Sequence, residues 1–238
     1  MLPIFFYIFI GLVCIQLIYW LGFYSRLALA KSILSTPKRI PVSVILYTKN
    51  QVIDLLEILP NLLSQQYHDF EIVIVNNASV DDTLEICKEF ASLYPNIRIV
   101  DVQNNEAFWG SKRYALTLGI KASRHEYLLF VDCGTKINSE NWLWQMSSQF
   151  TLNKTIVLGQ TQFEKTKGFL NKRIRLEHSF SQIQSFAFSK IIKPYSLAAQ
   201  NIGYKKEEFY KVNGFIEYMN EPIHEQELLL KKIATHKN

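Results

Sequence analysis

An apolar run, Leu128-Leu129-Phe130-Val131, ends in the acid Asp132 and is followed by Cys133 and Gly134. Such a run reads as a strand buried on both faces of a parallel sheet. Asp132 then stands at the strand's carboxyl end, the edge where open α/β sheets bind ligands. Other stretches carry chemistry suited to the same edge. Tyr47-Thr48-Lys49-Asn50 follows an earlier β-branched run. Tyr47, Thr48 and Asn50 would border the crevice, where a phenol ring and an amide can contact a nucleobase. Asn76 and Asn77 close another strand, and a carboxamide both accepts and donates, so they fit either a binding or a turn role. Gly110-Ser111-Lys112-Arg113 opens a helix whose free N–H groups, reinforced by two cations, suit a diphosphate. An ordinary solvated first turn is the other reading, although cations are unfavourable at that end of a helix. Farther on, His224-Glu225-Gln226-Glu227 places two acids at a helix start, where acids are favoured.

The elements that must position these groups alternate. Strands are expected over Ser43–Tyr47, Glu71–Val75, Ile97–Val102 and Tyr127–Asp132. Helices are expected over Val52–Gln66, where Pro60 must kink or divide the helix, over Asp81–Leu93 with Ser79 or Asp81 as cap, and over Ser111–Ala122. This order predicts a mostly parallel sheet covered by helices on both faces, with ligand loops around Thr48, Asn76 and Asp132. Beyond Asn141 a helix over Trp142–Phe150 and a strand over Thr155–Phe163 are expected. Leu176, Phe180, Ile183, Ala187 and Ile191 then form a stripe on a longer helix beside Lys172, Arg173 and Arg175. Packing on the sheet is the simpler account of that stripe, and contact with a membrane surface the sharper one. A last helix is expected over Glu225–Ala234.

From Leu2 to Tyr24 the chain carries no charged side chain, and about 20 such residues cross a bilayer's hydrocarbon core. Tyr19, Trp20 and Tyr24 suit the interface, and Arg26, Lys31, Lys38 and Arg39 follow the apolar stretch, which puts the rest of the chain on the cytoplasmic side. Residues 1–33 thus read as a single-pass anchor and juxtamembrane segment, and 34–238 as one α/β domain. The net charge of +5 is spread thinly, which argues against nucleic acid as a partner. Cys14, Cys87 and Cys133 have no spacing of a disulfide framework or zinc site.

PVSVILYTKN, FEIVIVNNASVDDT, GSKRYALTLGI, LLFVDCGTKINSENWL, QNIGYKKEEFYKVNGF and HEQELLLKKI, in this order, resemble family 2 glycosyltransferases from Pro41 to about Ile233. The resemblance is nearest to membrane-anchored bacterial members. It implies a GT-A fold, a Rossmann-like sheet whose amino-terminal half binds nucleotide. The implied activity is transfer of a sugar, usually with inversion, from a nucleoside-diphosphate sugar to a glycan or lipid-linked acceptor. It implies base contacts at Asn76 and Asn77. It implies a divalent cation, Mg²⁺ or Mn²⁺, held by Asp132 and by a second acid, whose place Gly134 fills. The implied catalytic base falls on Gln226, which cannot take a proton, so Glu225 or Glu227 would have to serve. Gln51 also stands where the family often has an acid. A non-catalytic GT-A module that binds a nucleotide sugar or a partner enzyme at the membrane is the alternative function.

Overall fold

The computed structural model describes residues 2–29, 39–103, 111–189, 191, 201–218 and 224–235. The chain forms two compact units. One comprises Met1–Leu34, Gln162–Leu197 and Ala234–His236; the other comprises Ser35–Thr161, Ala198–Ile233 and Lys237–Asn238.

In the second unit the described strands are β1 (Val42–Thr48), β2 (Phe70–Asn77), β3 (Ile97–Val102), β4 (Tyr127–Asp132), β5 (Ile156–Leu158) and β6 (Asn201–Lys205). They form one sheet in the order β3-β2-β1-β4-β6-β5. Neighbours among β1 to β4 pair parallel, while β6 runs antiparallel to β4 and β5. The helices of this unit are α2 (Val52–Leu63), α3 (Thr83–Leu93), α4 (Lys112–Ala122), α5 (Trp142–Ser147), α7 (Lys206–Lys211) and α8 (Glu225–Ile233).

Apolar residues on both faces of the central strands explain this layering. Val42, Val44 and Leu46 of β1, with Ile72, Ile74, Leu129 and Val131, form a core with Leu55, Ile58, Leu59 and Leu62 of α2 and with Cys87, Leu143 and Met146. On the opposite face Ile45 and Val75 meet Gly119 of α4. A Cβ there would lie 2.4 Å from Val75 Cγ2, so α4 sits nearer the sheet than alanine permits.

The strand order creates the site. From β1 the chain winds outward to β2 and β3, then returns to place β4 on the other side of β1. Carboxyl ends of β1 and β4 therefore flank the topological switch point. The register sets Tyr47 beside Asp132 and Thr48 beside Asn76.

Some expectations need correction. The helix with Pro60 is not divided: it runs over Val52–Leu63 with the proline inside it, and it ends three residues after the proline. Helix α3 begins at Thr83, not Asp81; Asp81 Oδ1 instead accepts from Thr83 N at 3.2 Å and Thr83 Oγ1 at 2.5 Å, bracing the preceding turn. The strand expected over Thr155–Phe163 is paired only over Ile156–Leu158. Beyond it Gly159 N donates to the Asn201 carbonyl at 2.8 Å, and the Asn201 side chain fills the space beside Gly159 and donates to the Gln160 carbonyl at 3.2 Å.

The other unit contains α1 (Leu2–Ala28) and α6 (Phe169–Ser189), which pack together. Pro3–Gly22 has a mean hydropathy of 2.3 and no buried residue, and it is long and apolar enough to cross a membrane. Phe180 of α6 lies 6.0 Å from the Trp20 ring and 6.5 Å from that of Tyr24, and Gln184 Nε2 donates to Tyr19 Oη at 3.2 Å. Along the α6 stripe exposure falls from 71% at Leu176 through 44% at Phe180 and Ile183 to 0% at Ala187.

Candidate active site at the carboxyl edge of the sheet

A pocket opens over the ends of β1 and β4, lined by Ile45, Tyr47, Leu116, Phe130 and Val131 with the polar groups of Lys112, Asp132, His224 and Gln226. The polar groups form a contiguous chain. Asn77 Nδ2 donates to Tyr47 Oη at 3.0 Å, Lys112 Nζ lies 4.8 Å over the Tyr47 ring, and the same ammonium is 3.4 Å from Asp132 Oδ1. Each link has a local cause. Ser111 caps α4, its Oγ accepting from Tyr114 N at 3.2 Å, so the helix opens with Lys112 pointing across the strand ends. An ammonium over an aromatic face and beside a carboxylate is held from two directions.

Other residues expected at the site serve it from outside. Thr48 is wholly buried with its hydroxyl against the Cys133 thiol, beneath the pocket. Burial pushes that thiol up to about 12. Asn50 adopts a left-handed backbone with φ 52; its amide donates to Ser79 Oγ at 3.0 Å and its Oδ1 accepts from Val80 N at 2.8 Å. It ties the loop after β1 to the loop after β2. Asn76 is spent likewise, its Nδ2 donating to Asp101 at 2.7 Å and its Oδ1 accepting from Ser79 Oγ at 2.5 Å. Arg113, read from the sequence as a phosphate contact, is buried and faces Glu225, with Nε 3.9 Å from Oε1. The helical turn that aims Lys112 outward necessarily turns its neighbour inward.

The acids of α8 also point away from the pocket. Glu225 engages Arg113 and lies 3.7 Å from His224 Nδ1, and Glu227 pairs with Lys231 at 2.9 Å. The α8 residue that does line the pocket is Gln226, with Oε1 buried and without a hydrogen bond. Its amide faces the fully buried Tyr204 phenol, which burial raises well above its usual pKa and the Gln226 hydrogen bond partly lowers. Tyr204 is a residue that sequence reasoning missed, and so is Asp54 of α2. A Cβ on Gly134 would find Asp54 Oδ2 at 3.9 Å, and Gln51 Nε2 donates to that same oxygen at 3.0 Å. The signal for Asp54 was its place in the first turn of the helix following β1, which returns it to the carboxyl edge.

Among the described residues no group of three or more His, Cys, Asp or Glu side chains could hold a metal ion. Asp132 is the carboxylate of the pocket and is paired with an ammonium, Cys133 is buried, and Gly134 has no ligating group. This donor set does not fit Mg²⁺ or Mn²⁺, which prefer several oxygen ligands.

The sequence pattern of glycosyl transferase family 2 matches residues 43–212, which includes the whole sheet and the β4 edge. The chain belongs to glycosyl transferase family 2. It is 28% identical over 158 residues to poly-beta-1,6-N-acetyl-D-glucosamine synthase of Staphylococcus epidermidis, covering 66% of this chain and 36% of that protein. The mannosyltransferase PcManGT of Pyrobaculum calidifontis, in complex with GDP-Man and Mn2+, has a similar fold: TM-score 0.70, 18% identity, covering 88% of this chain and 57% of that one. Staphylococcus aureus TarS in complex with UDP-GlcNAc does as well, with TM-score 0.58, 20% identity, and coverage of 82% and 54%. The chain spans about a third of the length of the curated relatives it matches most extensively. The six-stranded, mostly parallel sheet is that of a GT-A family 2 protein. Gln226 faces the pocket, and the acids on either side of it do not.

Proposed function

We propose that this chain binds a nucleoside-diphosphate sugar over the ends of β1 and β4 and transfers the sugar to a glycan or lipid-linked acceptor at a membrane. The observation that carries the reading is the contiguous chain Asn77–Tyr47–Lys112–Asp132 around one pocket. Tyr47 and Asn77 offer a ring and an amide to the base, and Lys112 offers charge to the diphosphate. In the transfer step the acceptor oxygen bonds to the anomeric carbon, and the carbon–oxygen bond to the diphosphate breaks with its electron pair on the leaving oxygen. Lys112 neutralises that charge. The acceptor's proton goes to His224, because Asp132 is occupied by Lys112 and Gln226 has no basic group. Glu225, with Oε2 3.7 Å from His224 Nδ1, steadies the imidazole.

Two features support the membrane. Helix α1 is apolar along Pro3–Gly22, and α6 in the same unit exposes Phe169, Leu170 and Leu176 near Lys172, Arg173 and Arg175. Arg26, Lys31, Lys38 and Arg39 favour a cytoplasmic location for the rest of the chain. A second reading, a binding module without transferase activity, is favoured by the single fact that Gln226 occupies the place of a base. Incubation of the full chain with bacterial membranes and labelled UDP-GlcNAc or GDP-Man separates the two. Label that moves into lipid or polymer, and fails to in Asp132→Asn, supports transfer. Binding of either donor with neither transfer nor hydrolysis supports the module.

A further inference from the structure

We infer that the Lys112 ammonium stands in for a divalent cation, so that this chain holds the diphosphate of its ligand without metal. The inference rests on the donor-binding reading above and deepens it.

The donor set and the occupancy of Asp132 point the same way. A hard cation at Asp132 would find no second side-chain oxygen from residue 134. It would also meet Lys112 Nζ, which already lies 3.4 Å from Asp132 Oδ1. An ammonium and a divalent ion cannot share that oxygen without strong repulsion. The positive charge a diphosphate needs is instead covalently attached. Lys112 is the first residue of α4, an 11-residue helix, and the Ser111 cap and the Tyr47 ring fix its direction. A cation is disfavoured at a helix's positive end, and a bound anion would relieve that cost while also meeting the free N–H groups of the first turn. A second observation points to a ligand in the same space. Gln226 is only 3% exposed, lines the pocket, and leaves its Oε1 without a hydrogen bond, an arrangement a hydroxyl donor of the ligand would satisfy. On binding, the Lys112 ammonium keeps its long pair with Asp132 and also donates to the phosphates, so that it bridges the anion to the carboxylate.

Calorimetric titration of the full chain in detergent with UDP, GDP and dTDP, each in EDTA and in millimolar Mn²⁺, tests this. The expected result is binding of at least one nucleotide with affinities in the two buffers that agree within about twofold, a difference too small to reflect an added ligand bond. Lys112→Met should weaken that binding by about tenfold or more, the value of a lost charge-assisted contact, while Lys112→Arg retains it. Thermal melts of both variants establish that they are folded. Binding that requires Mn²⁺, or that survives Lys112→Met undiminished, overturns the inference and leaves the donor site standing. Absence of binding to all three nucleotides in both buffers overturns the inference together with the donor-site reading.

Discussion

Replacing Gly134 with aspartate should give this pocket the cation dependence that its own residues do not provide. There is room for the side chain: a Cβ at 134 finds only Asp54 Oδ2, at 3.9 Å, and the backbone there is not left-handed. The new carboxylate would sit beside that of Asp54. Two like charges about 4 Å apart repel by ~1 kcal/mol in water and by ~4 kcal/mol at an effective dielectric constant of about 20. Asp54 is half-exposed, which places the cost near the lower figure. In EDTA, Gly134→Asp should therefore melt about 2–4 °C below the parent chain. With UDP and Mn²⁺ at about a hundred times their dissociation constant, binding contributes ~2.7 kcal/mol, and the melting point should rise well above its EDTA value. The parent chain should rise by the same amount with UDP whether or not Mn²⁺ is present. Asp54→Asn in the Gly134→Asp background should remove the penalty in EDTA, and a double-mutant cycle would isolate that coupling. Differential scanning fluorimetry measures the melting points, and Mn²⁺ electron paramagnetic resonance counts bound ions. If Gly134→Asp gains no Mn²⁺-linked stability, or if the parent gains as much, the account of residue 134 as the missing ligand fails.

Further outcomes follow from the same geometry. Gly119→Ala should destabilise the chain by ~1–3 kcal/mol in urea melts, because its methyl would press on the stiff Val75 side chain 2.4 Å away. His224→Gln should slow sugar transfer by about 10²–10⁴-fold while leaving UDP binding intact, whereas loss of both would deny His224 the role of base. Cys87 and Cys133, whose burial pushes both thiols up to about 12, should resist iodoacetamide at pH 8 until denaturant is added; rapid labelling of the folded chain would contradict their placement. In a Cys14→Ser background, a fluorophore on Leu176→Cys should be quenched by nitroxide lipids in reconstituted anionic vesicles, and unquenched emission would detach α6 from the bilayer.

The fold was legible where apolar runs are long and both faces are covered. The runs in β1, β2 and β4 have one physical reading, and the alternation with helices allowed only a parallel winding, so Ile97–Val102 and Tyr127–Asp132 match the expected bounds. It was less legible where tertiary contacts set the end of an element. Past β5 the distant Asn201 packs against Gly159 and Gln160, a contact that no local property of residues 159–163 announces. The α6 stripe has no single reading for a related reason. Apolar spacing along a helix cannot distinguish a core from a lipid face, since both reward the same side chains.

At the site, sequence proximity to the strand ends identified the right neighbourhood but not which side chains face the ligand. Adjacent residues on a helix point about 100° apart, so of Lys112 and Arg113 only one can line the pocket, and of Glu225, Gln226 and Glu227 only the middle one does. That rotation makes the departures from the family pattern interpretable together. Turning α8 to offer Glu225 would separate it from the buried Arg113, 3.9 Å away. In the observed orientation Gln226 and His224 line the pocket. The pocket wall so arranged carries one carboxylate, Asp132, and one ammonium, Lys112. A pocket with little negative charge has less need of a cation to admit an anion, so Gly134, Gln226 and Lys112 belong to one electrostatic arrangement.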